Sequence, residues 1–155
     1  MNSGGAYVFD AATGVLQLVL PNPFPASGGA FGSSTAGLGN EIFVGAPGAD
    51  APGVSACGRV FGFDGTTGNV TQVIANLAPR TGAQFGAAIT TYAGGLAISA
   101  PITVAGGPPS GEVALFTSAG VWTNSLSLLG HPSARFGSAI LDYDGTIVIG
   151  AEEDA

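Results

Sequence analysis

The chain has 155 residues, a formal net charge of −7 and only three cationic side chains, Arg59, Arg80 and Arg135. Because it has no clustered Lys and Arg, the chain is poorly suited to bind nucleic acid or an anionic membrane surface, and we do not expect nucleic-acid binding. No apolar run approaches the length of a transmembrane helix, so membrane insertion is not expected either. A single cysteine, Cys57, excludes an intrachain disulfide and any zinc site built from several cysteines.

Short apolar runs and turn residues alternate from the start of the chain. The 27 glycines and 10 prolines lie between runs rich in Val, Ile, Leu and Phe, which is the pattern of strands separated by tight turns. Residues 4–20 predict two strands around a turn at 11–14, and a connector rich in Pro and Gly covers 21–30. The next hairpin begins at Phe31 and turns at Gly39-Asn40.

Two types of hairpin alternate three times along the chain. The aromatic hairpins are residues 4–20, 58–74 and 111–126, and the Phe-Gly hairpins are residues 31–47, 85–101 and 136–151. The Phe-Gly pairs lie 54 and 51 residues apart, a period typical of propellers and other repeat arrays. No stretch shows a sustained helical period, so the sequence predicts an all-β protein built from four-stranded antiparallel sheets.

Each Phe-Gly hairpin begins with Phe-Gly and ends in small residues. We expect one strand from Phe31 to Leu38 and a returning strand that stops at Pro47, because proline has no N–H to donate to a ladder. The phenylalanine is large enough to fill the space between sheets, and the glycine allows close backbone approach or a positive φ. The expected packing residues are Phe31, Gly32, Gly45, Ala46, Pro47, Phe85, Gly86, Ala100, Pro101, Phe136, Gly137 and Gly150.

The segments Phe31-Gly32-Ser33, Val44-Gly45-Ala46-Pro47 and Gly58-Arg59-Val60-Phe61 together resemble the FG-GAP repeat of integrin α-chain β-propellers and their bacterial surface-protein relatives. The resemblance covers essentially the whole chain and departs from the pattern at Ser99 and Glu152. It implies a β-propeller unit spanning residues 1–155, located outside the cell or on its surface, with a role in adhesion. In this scheme residues 31–74 and 85–126 are complete blades, 136–151 is the first half of a blade and 4–20 is the second half.

Many members of that family carry a calcium loop of the type Asp-x-Asp/Asn-x-Asp-Gly inside the Phe-Gly hairpin. The corresponding positions here have room for a tight turn but not for a loop that supplies six or more oxygens. Only Asp142 and Asp144 provide carboxylates there, so they are weak metal candidates. We expect neither calcium nor another cofactor.

The number of blades predicts self-association. Three blade-equivalents are fewer than the four to eight that close a propeller. The two terminal hairpins are complementary halves, and unpaired sheet edges are a template for association. Head-to-tail pairing would give a closed six-bladed dimer or, if the rotation does not close, a filament. The remaining alternative is that the sequence is a segment of a longer propeller.

The sequence contains no recognisable catalytic constellation. Its only histidine, His131, precedes Pro132 in a connector, and nothing orients a dyad with Ser133. The acidic run from Glu152 to Asp154 is typical of a solvated loop. Trp122 has two interpretations, stacking on sugars or filling the space between sheets. Asn69-Val70-Thr71 forms a glycosylation sequon at a hairpin tip.

These observations predict a non-enzymatic extracellular structural or adhesion module that self-associates through its terminal hairpins. The alternative is a propeller that binds a protein or glycan through the loops Gly48–Cys57 and Ile102–Ser110. A third interpretation is a fragment of a longer surface protein, including one that has lost an attached enzyme domain.

Overall fold

The computed structural model describes residues 3–25, 27–102, 111–128 and 135–152. These residues form an all-β structure of twelve strands in four antiparallel sheets, with no helix in the described part. The strands are β1 (Ala6–Phe9), β2 (Leu16–Leu20), β3 (Thr35–Leu38), β4 (Glu41–Ala46), β5 (Arg59–Asp64), β6 (Val70–Ala75), β7 (Ile89–Tyr92), β8 (Gly95–Ala100), β9 (Glu112–Thr117), β10 (Trp122–Leu126), β11 (Arg135–Tyr143) and β12 (Thr146–Glu152).

Strands that are consecutive in sequence are also neighbours within each sheet. The first sheet contains β1 and β2, the second runs β3-β4-β5-β6, the third runs β7-β8-β9-β10, and the fourth contains β11 and β12. The two middle sheets therefore have four strands each, and the two end sheets have two. Short turns join β3 to β4 and β5 to β6, which makes these pairs antiparallel neighbours, whereas a longer loop, residues 47–58, joins β4 to β5.

Three hydrophobic cores join the four sheets into a stack. The first core contains Leu20 of the first sheet and Val44 of the second, and the second core contains Phe43 and Leu96 of the second and third sheets. The third core joins the third sheet to Ile140, Ile147 and Ile149 of the fourth. Successive residues of a strand point to opposite faces. The middle sheets bury both faces, which explains why β8 is buried along its whole length.

The expectation of one continuous strand from Phe31 to Leu38 is wrong in its first half. The strand β3 begins at Thr35, and the chain turns at Gly32, whose φ is 94°. The second repeat behaves alike, since β7 begins at Ile89 and Gly86 has a φ of 88°. A positive φ interrupts the extended backbone, so Phe31 and Phe85 lie just outside the ladder. In the third repeat β11 includes Phe136 and has a register shift between Phe136 and Ala139.

One junction recurs at every sheet-to-sheet step. Gly4, Gly58 and Gly111 each form an isolated parallel bridge with the phenylalanine of the following Phe-Gly pair, Phe31, Phe85 and Phe136. All three glycines have a positive φ, and an added Cβ would lie 1.9–2.1 Å from the phenylalanine carbonyl oxygen. Only glycine tolerates both conditions. They are the first residues of the three aromatic hairpins, and their spacing follows the repeat.

The predicted packing residues lie at the same junctions. Phe31 and Phe85 are buried, Phe136 is partly buried, and β4 and β8 end at Ala46 and Ala100, directly before the prolines. A side chain does not fit at Gly45, because a Cβ there would lie 2.1 Å from the carbonyl oxygen of Gly86. The Ser34 hydroxyl donates a hydrogen bond to that same oxygen at 2.7 Å.

Candidate assembly surfaces

In the described part of the chain, the two end sheets have two strands each, whereas the middle sheets have four. In the second sheet, β4 pairs with β3 on one side and with β5 on the other. In the described residues, β12 pairs only with β11, and β1 pairs only with β2. By their place in the repeat, β12 corresponds to β4, and β1 corresponds to β5. The free edge of β12 therefore corresponds to the edge of β4 that pairs with β5, and the free edge of β1 corresponds to the edge of β5 that pairs with β4.

The outer face of the first sheet is apolar and exposed. Tyr7 is 61% exposed and lies opposite Val19, which is 55% exposed, and Phe9 on the same face is 58% exposed. The corresponding residues of the second sheet, Phe61 and Phe63, are fully buried. The residues that alternate with these along β1 and β2 face the first core. The first sheet therefore has two apolar faces, of which only the inner one is covered.

The outer face of the fourth sheet is also apolar and exposed. Leu141 pairs with Val148, and these two side chains are 57% and 51% exposed. Tyr143, two residues further along the same face, is 70% exposed. Exposed aromatic and aliphatic side chains that lie together on a sheet face mark an interaction surface more often than those scattered singly.

A cavity lies at the free edge of β1, between the first and second sheets. Its volume is about 390 Å³, and it is lined by the whole of β1 together with Thr35, Ala36, Gly37 and Ile42. At the next step of the stack, β7 lies against β3. The cavity thus lies where the repeat would place one further hairpin of the Phe-Gly type.

The strands of the end sheets are held by polar contacts at their ends. Arg135 and Glu152 pair across β11 and β12 with an N–O distance of 2.8 Å. In the first sheet, the Asp10 carboxylate accepts hydrogen bonds from the backbone N–H groups of Ala12 and Thr13, which shapes the turn between β1 and β2. The hydrogen bond from the Thr13 backbone is the main cause that lowers the pKa of Asp10.

The equivalent turn between β5 and β6 repeats this arrangement with additional contacts. Asp64 accepts from the backbone and hydroxyl of Thr67 and from the backbone of Thr66, and its second oxygen accepts from the Asn40 amide at 2.9 Å. The Thr67 backbone hydrogen bond is again the main cause that lowers the pKa of this aspartate.

Asp142 and Asp144 lie at the end of β11 and in the turn that follows it. Asp144 is exposed, with a φ of 49°, and forms the tight turn with Gly145 that the sequence predicts. One carboxylate oxygen of Asp142 is buried and has no hydrogen-bond partner among the residues that the structure describes. Within the described ranges, no group of three or more His, Cys, Asp or Glu side chains lies close enough to hold a metal ion.

The other predicted side chains occupy separate places. Asn69 is exposed at the turn before β6, and the Thr71 hydroxyl of its sequon donates to the Glu41 carboxylate at 2.6 Å. Trp122 is 47% exposed and donates from its ring nitrogen to the Ser125 hydroxyl at 3.2 Å. The predictions made for His131, Ser133, Glu153, Asp154 and most of the loop Ile102–Ser110 lie outside the described residues.

The described residues define a class of protein: an all-β repeat protein whose antiparallel sheets stack face to face, with two strands in each end sheet and four in each middle sheet. Neither the protein-family models nor the curated proteins that were searched match this chain. Among the described residues, no helix is long and apolar enough to cross a membrane. The proposed role of the chain therefore rests on its own contacts and on its internal repeat.

Proposed function

We propose that this chain is a non-enzymatic structural module that associates with further copies of itself by completing its two end sheets. The observation that carries the proposal is the pair of complementary free edges, β12 and β1, each flanked by an exposed apolar face. The resemblance to FG-GAP repeats and the sequon at Asn69 support an extracellular or cell-surface location and a role in adhesion.

The internal repeat predicts the register of the joint. In the second sheet Phe43 lies opposite Gly62, and in the third sheet Ala97 lies opposite Leu115. At the equivalent positions of β12 and β1, Val148 of one copy lies opposite Val8 of the next. Antiparallel pairing along these strands gives a four-stranded sheet in the order β11-β12-β1-β2, a propeller blade shared between two copies.

Burial of the end faces supplies the driving force for this joint. Tyr7 and Phe9 take the positions that Phe61 and Phe63 hold in the second sheet, where both rings are fully buried. Burial of two aromatic side chains contributes about 3–6 kcal/mol. On the other side of the joint, Leu141, Tyr143 and Val148 bury their faces against the next copy. Together these contributions are comparable with the cost of association, which is about 4–15 kcal/mol.

Two assemblies satisfy the same joint. If the rotation between copies closes, two chains form a ring with six blades, and each chain contributes one half to each of the two joints. If it does not close, head-to-tail pairing continues into a filament. Both assemblies use the same residues, so they differ in mass and shape but not in the response to substitutions at the joint.

Sedimentation of the purified chain over a range of concentrations tests the proposal. We expect a mass that is a multiple of the 15.0 kDa chain and that falls on dilution. Val148→Lys places a charge on the exposed face of β12 and is expected to give the single-chain mass. Val73→Lys makes the same exchange at a 45% exposed position on β6 of the second sheet, away from the joint. It is the matched control and is expected to leave the assembly intact. A single-chain mass for the unmodified protein at every concentration would contradict the proposal.

A further inference from the structure

An open cavity of about 260 Å³ lies between the second and third sheets. The buried rings of Phe85 and Phe116 and the half-exposed Trp122 line it, together with Ala78 and Ala114. The two phenylalanine rings contact each other edge to face with their centroids 5.9 Å apart. This cavity belongs to neither of the assembly surfaces described above.

The same place between the first and second sheets is filled by the chain itself. There the Phe24 ring stacks on Phe61 at a centroid distance of 5.9 Å, and Phe31 contacts Phe61 and Phe63 edge to face at 5.8 and 5.9 Å. Four rings therefore form one aromatic cluster in the first core, whereas the equivalent part of the second core has two.

The repeat shows which two rings are missing. Asn22 and Asn76 accept a hydrogen bond from the backbone N–H two residues later, at 3.0 Å in both cases, so Phe24 and Ala78 occupy equivalent positions. Ala114 on β9 similarly takes the place that Phe61 has on β5. Because two phenyl rings of the first core are replaced by methyl groups, the second core has a cavity where those rings would lie.

The charge beside the cavity is reversed as well. In the first core the Arg59 guanidinium lies over the Phe24 ring, 5.4 Å from its centroid, and the equivalent residue beside the cavity is Glu112. An adjoining cavity of about 230 Å³ is also lined by Glu112 and adds Arg80 and Ser127. The site thus combines an apolar space of aromatic shape with a carboxylate at the position where the first core has a cation, and Arg80 lines the adjoining cavity.

We propose that this cavity binds a small molecule that carries an aromatic ring joined by a short chain to an ammonium group. The ring takes the place that Phe24 and Phe61 fill in the first core and packs on Phe85, Phe116 and Trp122. The ammonium group interacts with the Glu112 carboxylate, a charge-assisted contact. This binding site is independent of self-association, since its lining residues lie between the two complete sheets.

The intrinsic fluorescence of Trp122, the only tryptophan of the chain, reports binding directly. We expect 2-phenylethylamine to change the emission saturably and to bind about tenfold more tightly than the neutral 2-phenylethanol, because a hydrogen bond to an ionised group is stronger than a neutral one. Phenylalanine, which adds a carboxylate to the same amine, tests the influence of Arg80. No saturable change with any of the three probes would overturn the proposal, and so would equal binding of the amine and the alcohol.

Variants separate the apolar and the charged parts of the site. Glu112→Gln is expected to remove the preference for the amine while the alcohol still binds. Ala78→Phe adds, beside the second core, the ring that Phe24 supplies beside the first, and it is expected to abolish binding of both probes. Ala12→Phe adds the same ring in a distant exposed turn and is the matched control. Thermal unfolding establishes that each variant is folded, and the double variant Ala78→Phe/Ala114→Phe gives a second test. A folded Ala78→Phe protein that binds like the unmodified chain would overturn the proposal.

Discussion

The glycine junctions predict a large loss of stability from the addition of a single methyl group. In a Gly58→Ala variant the new Cβ would lie 2.0 Å from the carbonyl oxygen of Phe85 and 2.3 Å from its nitrogen. Both atoms are backbone, so the contact is relieved only if the second and third sheets separate around the buried Phe85 ring. The φ of +84° adds the strain of an L-residue in the left-handed region, about 1–2 kcal/mol. Partial loss of the packing around Phe85 raises the total to about 3 kcal/mol or more.

Gly53→Ala is the matched control for this substitution. Gly53 has a φ of +74°, but an added Cβ there meets no atom within 4 Å. This variant isolates the conformational strain from the collision and is expected to lose only about 1–2 kcal/mol. Urea denaturation followed by Trp122 fluorescence measures both free energies of unfolding. Equal losses for the two variants would refute the argument that the bridge between Gly58 and Phe85 joins adjacent sheets.

Three further predictions test the aspartate turn, the first core and the end face. Asp64→Asn is expected to lower stability at neutral pH, because the lowered pKa of Asp64 stabilises the fold while its carboxylate is charged. The difference from the unmodified protein should shrink as the pH falls below 3.8, the ordinary Asp value, and vanish only below the lowered pKa of the folded state; urea titrations at several pH values measure this. Phe24→Ala should cost about 1–2 kcal/mol in thermal unfolding, less than the 3–5 kcal/mol of a buried phenylalanine, because Phe24 is 56% exposed although it stacks on Phe61. Tyr143→Ser should leave unfolding of the single chain within about 0.5 kcal/mol of the original while it weakens self-association in sedimentation.

Much of the local structure is predictable from the sequence because short-range chemistry determines it. The Asp144-Gly145 turn and the termination of β4 before Pro47 follow from residues that favour positive φ or lack a backbone donor. The pairing of the two strands within each hairpin also follows, because a short turn joins them. These features depend only on residues that are close together in the chain.

The features that the sequence did not predict depend on contacts between sheets. β3 starts at Thr35 rather than Phe31, since the chain turns at Gly32 and Phe31 instead bridges Gly4 of a different sheet. The sequence does not predict the cavity beside Trp122 either, because the cavity depends on packing between the second and third sheets. The repeat shows Ala78 where the preceding copy has Phe24, but predicting a cavity from this difference requires knowing that the position lies beside the space between adjacent sheets.

Disulfide formation between two single-cysteine chains tests the proposed joint most directly. Cys57→Ala removes the native thiol, and a Val148→Cys chain is then mixed with a Val8→Cys chain under mild oxidation. We expect a covalent dimer of the two chains, because directly opposite residues of paired strands lie within disulfide range. A Tyr7→Cys chain, whose thiol lies on the opposite face of β1, should not form this dimer with the same partner. Equal crosslinking of the Val8→Cys and Tyr7→Cys chains, or none with either, would contradict the pairing of β12 with β1.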